Sequence, residues 1–196
     1  MAKKQKKRVN PRRIPLAKSE IDRDAILNEA MQDDMYHAWL LVVNAMIELQ
    51  MVPINDIQII ADEVNLHTSK TSFGAAGKDS EINRAEVLMG ISSPYSNLNP
   101  SGIKSAVELQ AFKKKVYRVA IHTALCVLCL GLDSTGRLSH DELRALFFHA
   151  DLTLAEIEHG INSYEKLAEG LSENMVSLEV MENDYCDVSL STVVQN

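Results

Sequence analysis

The chain has 196 residues, of which 46% are hydrophobic and only 5% aromatic, and its formal net charge is -7. This length suits one domain of roughly 150 residues with tails at either end. Three cysteines, two of them inside an apolar stretch, do not form the disulfide framework of a secreted protein. The start has no apolar signal segment, and the stretch from Val116 to Leu132 is interrupted by Arg118 and His122. A cytoplasmic protein is therefore expected.

The charge is distributed unevenly along the chain. The first eighteen residues contain no acid and eight bases, which are Lys3, Lys4, Lys6, Lys7, Arg8, Arg12, Arg13 and Lys18. The rest of the chain holds 12 bases against 27 acids, a formal charge of -15. We therefore predict three parts: a disordered basic arm over 1–18, a helical domain over 19–172, and an acidic tail over 173–196 with a weak signal for a short strand at 176–180.

Apolar periodicity predicts an all-α fold, a bundle of about six to seven helices. The predicted helices are, in chain order, 20–31, 34–50, 55–65, 79–91, 102–130, 140–149 and 154 onward. Ser101 is the predicted N-cap of the longest helix and Gly131 its predicted end. Ser139 with Glu142 and Thr153 with Glu156 each have the spacing of a capping box.

The basic arm is the strongest functional signal. Lysines and arginines gain affinity for nucleic acid by displacing counterions from phosphates, and they need no folded structure to do so. Arg12 and Arg13 lie between Pro11 and Pro15, where two forked guanidinium groups suit a groove or a phosphate cluster. The alternative is a solubilising tail without a partner.

A second basic run lies on the longest predicted helix. It consists of Lys113, Lys114, Lys115 and Arg118, and Lys104 precedes it. The spacing places Lys104, Lys115 and Arg118 near one helix face, which would extend the nucleic-acid contact of the arm. A solvated helix face is the structural alternative.

Three further patterns have a structural explanation that we prefer. The stretch GLDSTGRLSHDEL resembles a calcium-binding EF-hand loop, but Gly131 stands where the first carboxylate belongs, and a turn into the Ser139 cap explains it better. Asp34 with His37 and Glu156 with His159 have a metal-ligand spacing, but the further inward carboxylates of a di-metal site are missing. Cys126 and Cys129 fit buried thiols. We predict no metal, no cofactor and no catalytic group.

The opening resembles accessory proteins of bacteriophages and prophages. The resemblance rests on the lysine cluster that runs into NPRRIPL and DDMYHAWLLV, over residues 1–43, and on HTALCVLCLGL. It implies a phage gene product in the bacterial cytoplasm. Two hypotheses follow: a non-enzymatic nucleic-acid-associated protein whose helical body contacts a protein or a second copy, and an inhibitor of a host nuclease whose acidic body imitates nucleic acid.

Overall fold

A computed structural model describes residues 34–70, 75–92, 94, 98 and 103–173. They form six helices, α1 (Asp34–Glu48), α2 (Ile54–Lys70), α3 (Ala75–Met89), α4 (Ala106–Thr135), α5 (His140–Glu158) and α6 (Tyr164–Glu173). The described part of the chain is thus an all-α bundle, as predicted. The basic arm, the predicted helix over 20–31 and the predicted strand over 176–180 lie outside the described residues.

Helix α4 forms the centre of the bundle. It contacts α1, α2, α3 and α5, and eleven of its fourteen residues from Val119 to Leu132 are buried. Its 30 residues span about 45 Å, which by length and apolar composition alone would cross a membrane. Since 67% of its most apolar window is buried against protein, α4 has the environment of a core helix.

Helix α1 is the second buried element. Eight of its fifteen residues are buried, among them Trp39, Leu41 and Met46. It packs against α4 on one side and against α5 and α6 on others, which is why its sequence is apolar over most of its circumference. Four apolar residues of α2 at helical spacing are buried as well: Ile57, Ile60, Ala61 and Val64.

Several predicted helix ends are wrong. The N-cap of α4 is Ser105 rather than Ser101, and its hydroxyl accepts a hydrogen bond from the Glu108 amide at 3.3 Å. Helix α4 continues through Gly131, which is buried, and ends at Gly136 in a left-handed conformation with φ of 65°. Close packing around Gly131 outweighs the poor helix propensity of glycine.

The connection between the third and fourth predicted helices is also shorter than expected. The predicted helices over 55–65 and 79–91 leave a long connection that is rich in Gly and Ser, whereas α2 extends to Lys70 and α3 begins at Ala75. Helix α2 starts at Ile54, directly after Pro53 and one residue before the predicted start. Glycine and serine favour a loop by local propensity, yet both helices extend into this stretch.

One predicted capping box is confirmed and the other is wrong. Ser139 caps α5: its hydroxyl accepts from the Glu142 amide, and the Ser139 amide donates to the Glu142 carboxylate at 2.7 Å. Thr153 lies inside α5, buried, and its hydroxyl donates to the His149 carbonyl at 3.1 Å. The helix runs on to Glu158, and Gly160 with φ of 71° follows its end.

This difference predicts opposite orders of stability at the two positions. Glycine is tolerated at an N-cap, so Ser139→Ala should cost about 1 kcal/mol of unfolding free energy and Ser139→Gly only a few tenths. Inside a helix glycine is worse than alanine by about 1 kcal/mol, so Thr153→Gly should cost more than Thr153→Ala. Urea unfolding of the four variants checks both orders. The same order at both positions would contradict the assignment.

Candidate functional site

The predicted lysine run lies on the first half of α4, on the outside of the bundle. Lys114 and Lys115 are exposed and Lys113 is half-buried. The helix is held here by a small apolar cluster, separate from the main core, which consists of Leu98, Ile103, Phe112, Val116 and Val119, with Leu109 packed against it. Because this cluster occupies the inner face, Lys114 and Lys115 lie on the outer side of the helix.

Lys104 does not share a helix face with the other bases. It precedes the N-cap of α4, and its backbone amide donates to the Glu108 carboxylate at 2.7 Å. The helical spacing that grouped it with Lys115 and Arg118 therefore does not apply.

Arg118 forms ion pairs within the bundle. Its guanidinium forms ion pairs with Asp151, at 3.1 Å, and with Glu158, both on α5, and its side chain is only 23% exposed. These pairs connect α4 to α5. Since two carboxylates balance the guanidinium, Arg118 adds no net positive charge to the lysine surface beside it.

A cavity of about 150 Å³ lies beside this ion pair. Its walls include Arg118, Asp151, His122 and Phe147, and Ile91, Ser92 and Pro94 line it from the segment after α3. The His122 Nε2 atom lies 3.0 Å from Glu86 Oε1 on α3 and 3.7 Å from the Cys126 sulfur. The sequence predicts that His122 and Cys126 lie four residues apart on one helix. No pattern in the sequence predicts that Glu86 contacts His122.

The Cys126, His122 and Glu86 group lacks the geometry of a catalytic triad. In a triad the nucleophile and the carboxylate contact opposite ring nitrogens, so that the histidine can pass a proton between them. Here both contact Nε2. Burial, and next the nearby Cys129 and Glu86, raise the pKa of Cys126 far above its ordinary range, so the thiol stays protonated and unreactive.

A hydrogen-bonded aromatic cluster connects three helices. The Tyr117 hydroxyl on α4 lies 2.9 Å from His37 Nδ1 on α1 and donates to the Tyr164 hydroxyl on α6 at 2.8 Å. The His37 and Tyr164 rings stack with centroids 3.8 Å apart. Because the Tyr117 hydroxyl has one proton, donation to Tyr164 requires that His37 Nδ1–H donate to Tyr117. His37 is thus part of the packing.

Two acids of the EF-hand-like stretch are also engaged in contacts within the bundle. Asp133, in the EF-hand-like stretch, pairs with Arg84 at 3.8 Å and with His140 at 3.2 Å, while hydrogen bonds from Ser139 hold the pKa of Glu142 below its usual range. Among the described side chains no group of three or more His, Cys, Asp or Glu residues is placed to hold a metal ion.

Charge is separated between elements of the bundle. Residues 103–118 hold five bases and one acid, whereas residues 140–173, which form α5 and α6, hold eight acids and two bases. The predicted contacts of the arm, from Lys3 to Lys18, lie outside the described residues. The structure therefore presents a lysine surface (Lys113, Lys114 and Lys115) and an acidic surface on α5 and α6.

Comparisons with protein-family models, with curated proteins and with solved structures found no match to this chain.

The buried thiols give a first prediction for this site. We expect Cys126 and Cys129 to resist iodoacetamide in the folded protein at pH 8.5 and to react once urea unfolds it, as read by site-resolved mass spectrometry. Burial raises the pKa of Cys129 to about 12 without a histidine beside it, which makes it the internal control. Faster labelling of Cys126 than of Cys129 in the folded state would mean that His122 activates it.

The aromatic cluster predicts a pH dependence. Burial above all, and then Glu158, raise the pKa of Tyr164 from 10.0 to about 12, against a lowering by the hydrogen bond from Tyr117. A raised pKa contributes stability that is present below pH 10 and is lost as the pH rises from about 10 to about 12. The stability advantage of wild type over Tyr164→Phe should therefore shrink between pH 9 and pH 11. An advantage that is equal at both pH values in urea unfolding would contradict this.

Proposed function

We propose that this protein binds nucleic acid without catalysing a reaction, with the arm contacting phosphates and the lysine surface of α4 extending that contact. The observation that carries the proposal is the exposure of Lys114 and Lys115 on a turn of α4 whose inner face is fixed by apolar packing. The backbone that carries these lysines is already ordered, so binding phosphate costs less backbone entropy here than it would on a loop. Arg118 positions α4 against α5.

The negative net charge does not oppose this proposal. Charges separated by more than about 8 Å are largely screened at physiological ionic strength, so that a local basic surface can attract phosphate on an acidic protein. Asp151 and Glu158, the acids of α5 that reach α4 at Arg118, are both paired with its guanidinium. The helical body then has its own partner, a protein or a second copy of the chain.

The sequence resemblance supports a setting for this activity. A phage-encoded nucleic-acid-associated protein acts in the cytoplasm of the bacterial host, and an aliphatic bundle in which Cys126 and Cys129 are free thiols suits that reducing compartment.

A second candidate is an inhibitor of a host nucleic-acid enzyme or defence nuclease. The acidic surface of α5 and α6 favours it, since eight acids against two bases lie on two consecutive helices and Asp141 is 92% exposed. Regularly spaced carboxylates on rigid helices can occupy a basic cleft as phosphates do. An inhibitor of this kind does not require the basic arm.

Titration of labelled duplex DNA, single-stranded DNA and RNA at 50 and 200 mM salt tests the first proposal. Full-length protein should bind with a steep salt dependence, and deletion of residues 1–18 should abolish most of it. Lys113→Gln/Lys114→Gln/Lys115→Gln should lower the slope on duplex DNA by about 0.9 for each phosphate that the variant no longer neutralises. Lys166→Gln, which removes a lysine from acidic α6, is the matched control and should leave the slope unchanged.

The outcomes separate the two functions. Absence of salt-sensitive binding by the full-length protein would overturn the nucleic-acid proposal. An inhibitor would instead retain its effect on a nuclease after deletion of 1–18 and lose it in Glu156→Gln/Glu165→Gln/Glu169→Gln, which neutralises exposed and half-exposed acids of α5 and α6.

A further inference from the structure

The outward face of α5 carries an apolar stripe that none of the described helices covers. Phe148 is 74% exposed and Leu152, one turn further along, is 49% exposed. Ala145 is exposed on the preceding turn and Ala155 is half-buried on the next, so that the four residues, which we call the α5 stripe, follow the spacing 3, 4 and 3 of one helix face. An exposed phenylalanine beside an exposed leucine is a docking surface rather than a scattered apolar residue.

The edges of the α5 stripe are mostly acidic. Helix geometry places Glu142 and Glu156 along one edge and Asp151 and Glu158 along the other, and Asp141 lies at its N-terminal end. Glu48 of α1 reaches the first edge, where it contacts His149 at 2.5 Å. The formal bases among these residues are Arg144, paired with Asp141, and Arg118. A partner that covers the stripe must therefore bring apolar side chains together with positive charge.

We propose that the basic arm of this chain, residues 1–18, docks on the α5 stripe, so that the stripe and nucleic acid compete for the arm. The arm has the required chemistry, since it interleaves Val9, Ile14 and Leu16 with eight bases and no acid. The other segments outside the described residues do not have it. Residues 19–33 hold five acids and one base, and residues 174–196 hold four acids and no base.

The position of α1 gives the arm the reach to dock. His37, near the start of α1, stacks on Tyr164, which follows the C-terminal end of α5 by six residues. Phe148 lies ten residues before that end, about 15 Å along the helix. The fifteen residues from Ser19 to Asp33 span about 22 Å if helical and up to about 50 Å if extended, so either conformation lets the arm reach the α5 stripe.

A second copy of the chain fits this surface less well than the arm. Two copies packed through the α5 stripe would place one acidic edge against another, and like charges held together at an interface oppose association. The arm removes that repulsion. Docking itself requires no nucleic acid, so that it stands or fails separately from the proposed function, whereas the competition for the arm rests on that function.

Trypsin treatment of the full-length protein tests the docking. The arm offers eight cleavage positions, and docking protects them. Cleavage within 1–18 should be about fivefold faster in Phe148→Ser/Leu152→Ser than in wild type at 50 mM salt, because the substitutions remove the apolar surface on which the arm packs. Glu156→Gln should accelerate it in the same direction by a smaller factor, without changing the apolar surface. Val87→Ser, at an 81% exposed position on α3, is the matched control and should leave the rate unchanged.

Intact-mass spectrometry measures the cleavage rates, and circular dichroism confirms that each variant is folded. In wild type, 500 mM salt should remove most of the protection. Equal cleavage rates in wild type and in the double variant would overturn the proposal. Protection of the arm that disappears when the protein is diluted would also overturn it, since a second copy would then cover the stripe. In DNA titrations the double variant should bind about fivefold tighter than wild type if nucleic acid competes for the arm.

Discussion

The burial of α4 is the constraint on which the rest of the bundle depends. A helix of about 45 Å whose second half is apolar on nearly every side must be covered by several partners at once, and α1, α2, α3 and α5 supply them. Among the described residues, Leu98 and Ile103 cover one face of the first half. One helix therefore belongs to the core at one end and carries an outward lysine surface at the other.

Polar residues on α4 sit at the boundary between these halves, and each has a partner there. Arg118 and His122 would be costly to bury without compensation, and carboxylates from α5 and α3 provide it. Asp151, Glu158 and Glu86 are thereby committed to internal pairs. The acidic excess counted from the sequence is consequently larger than the negative charge that the bundle presents to a partner.

The existence of the helices could be predicted from apolar periodicity, but not all of their ends. Ser139 and Thr153 show the same local capping pattern. They are distinguished only by the burial of Thr153, which lies inside α5. Gly131 and Gly136 are likewise alike in sequence, yet the first is packed into the core. The lysine surface was visible in the sequence because it is local. The pairing of Arg118 was not, since its partners lie 33 and 40 residues away.

The separation of charge has a consequence for how such a protein binds. A strongly basic arm on a body with an acidic surface is attracted to that body whenever no stronger polyanion is present, and the attraction acts within one molecule at high effective concentration. Nucleic acid must then exceed the affinity of the arm for α5. Duplex DNA, with one charge per about 1.7 Å, is a denser polyanion than α5. Part of the negative charge of α5 is offset by Arg144 and by Arg118 of α4. In the proposed docking, the body would weaken binding to sparse anions more than binding to nucleic acid, and the acidic surface would contribute selectivity to a basic arm that has none by itself.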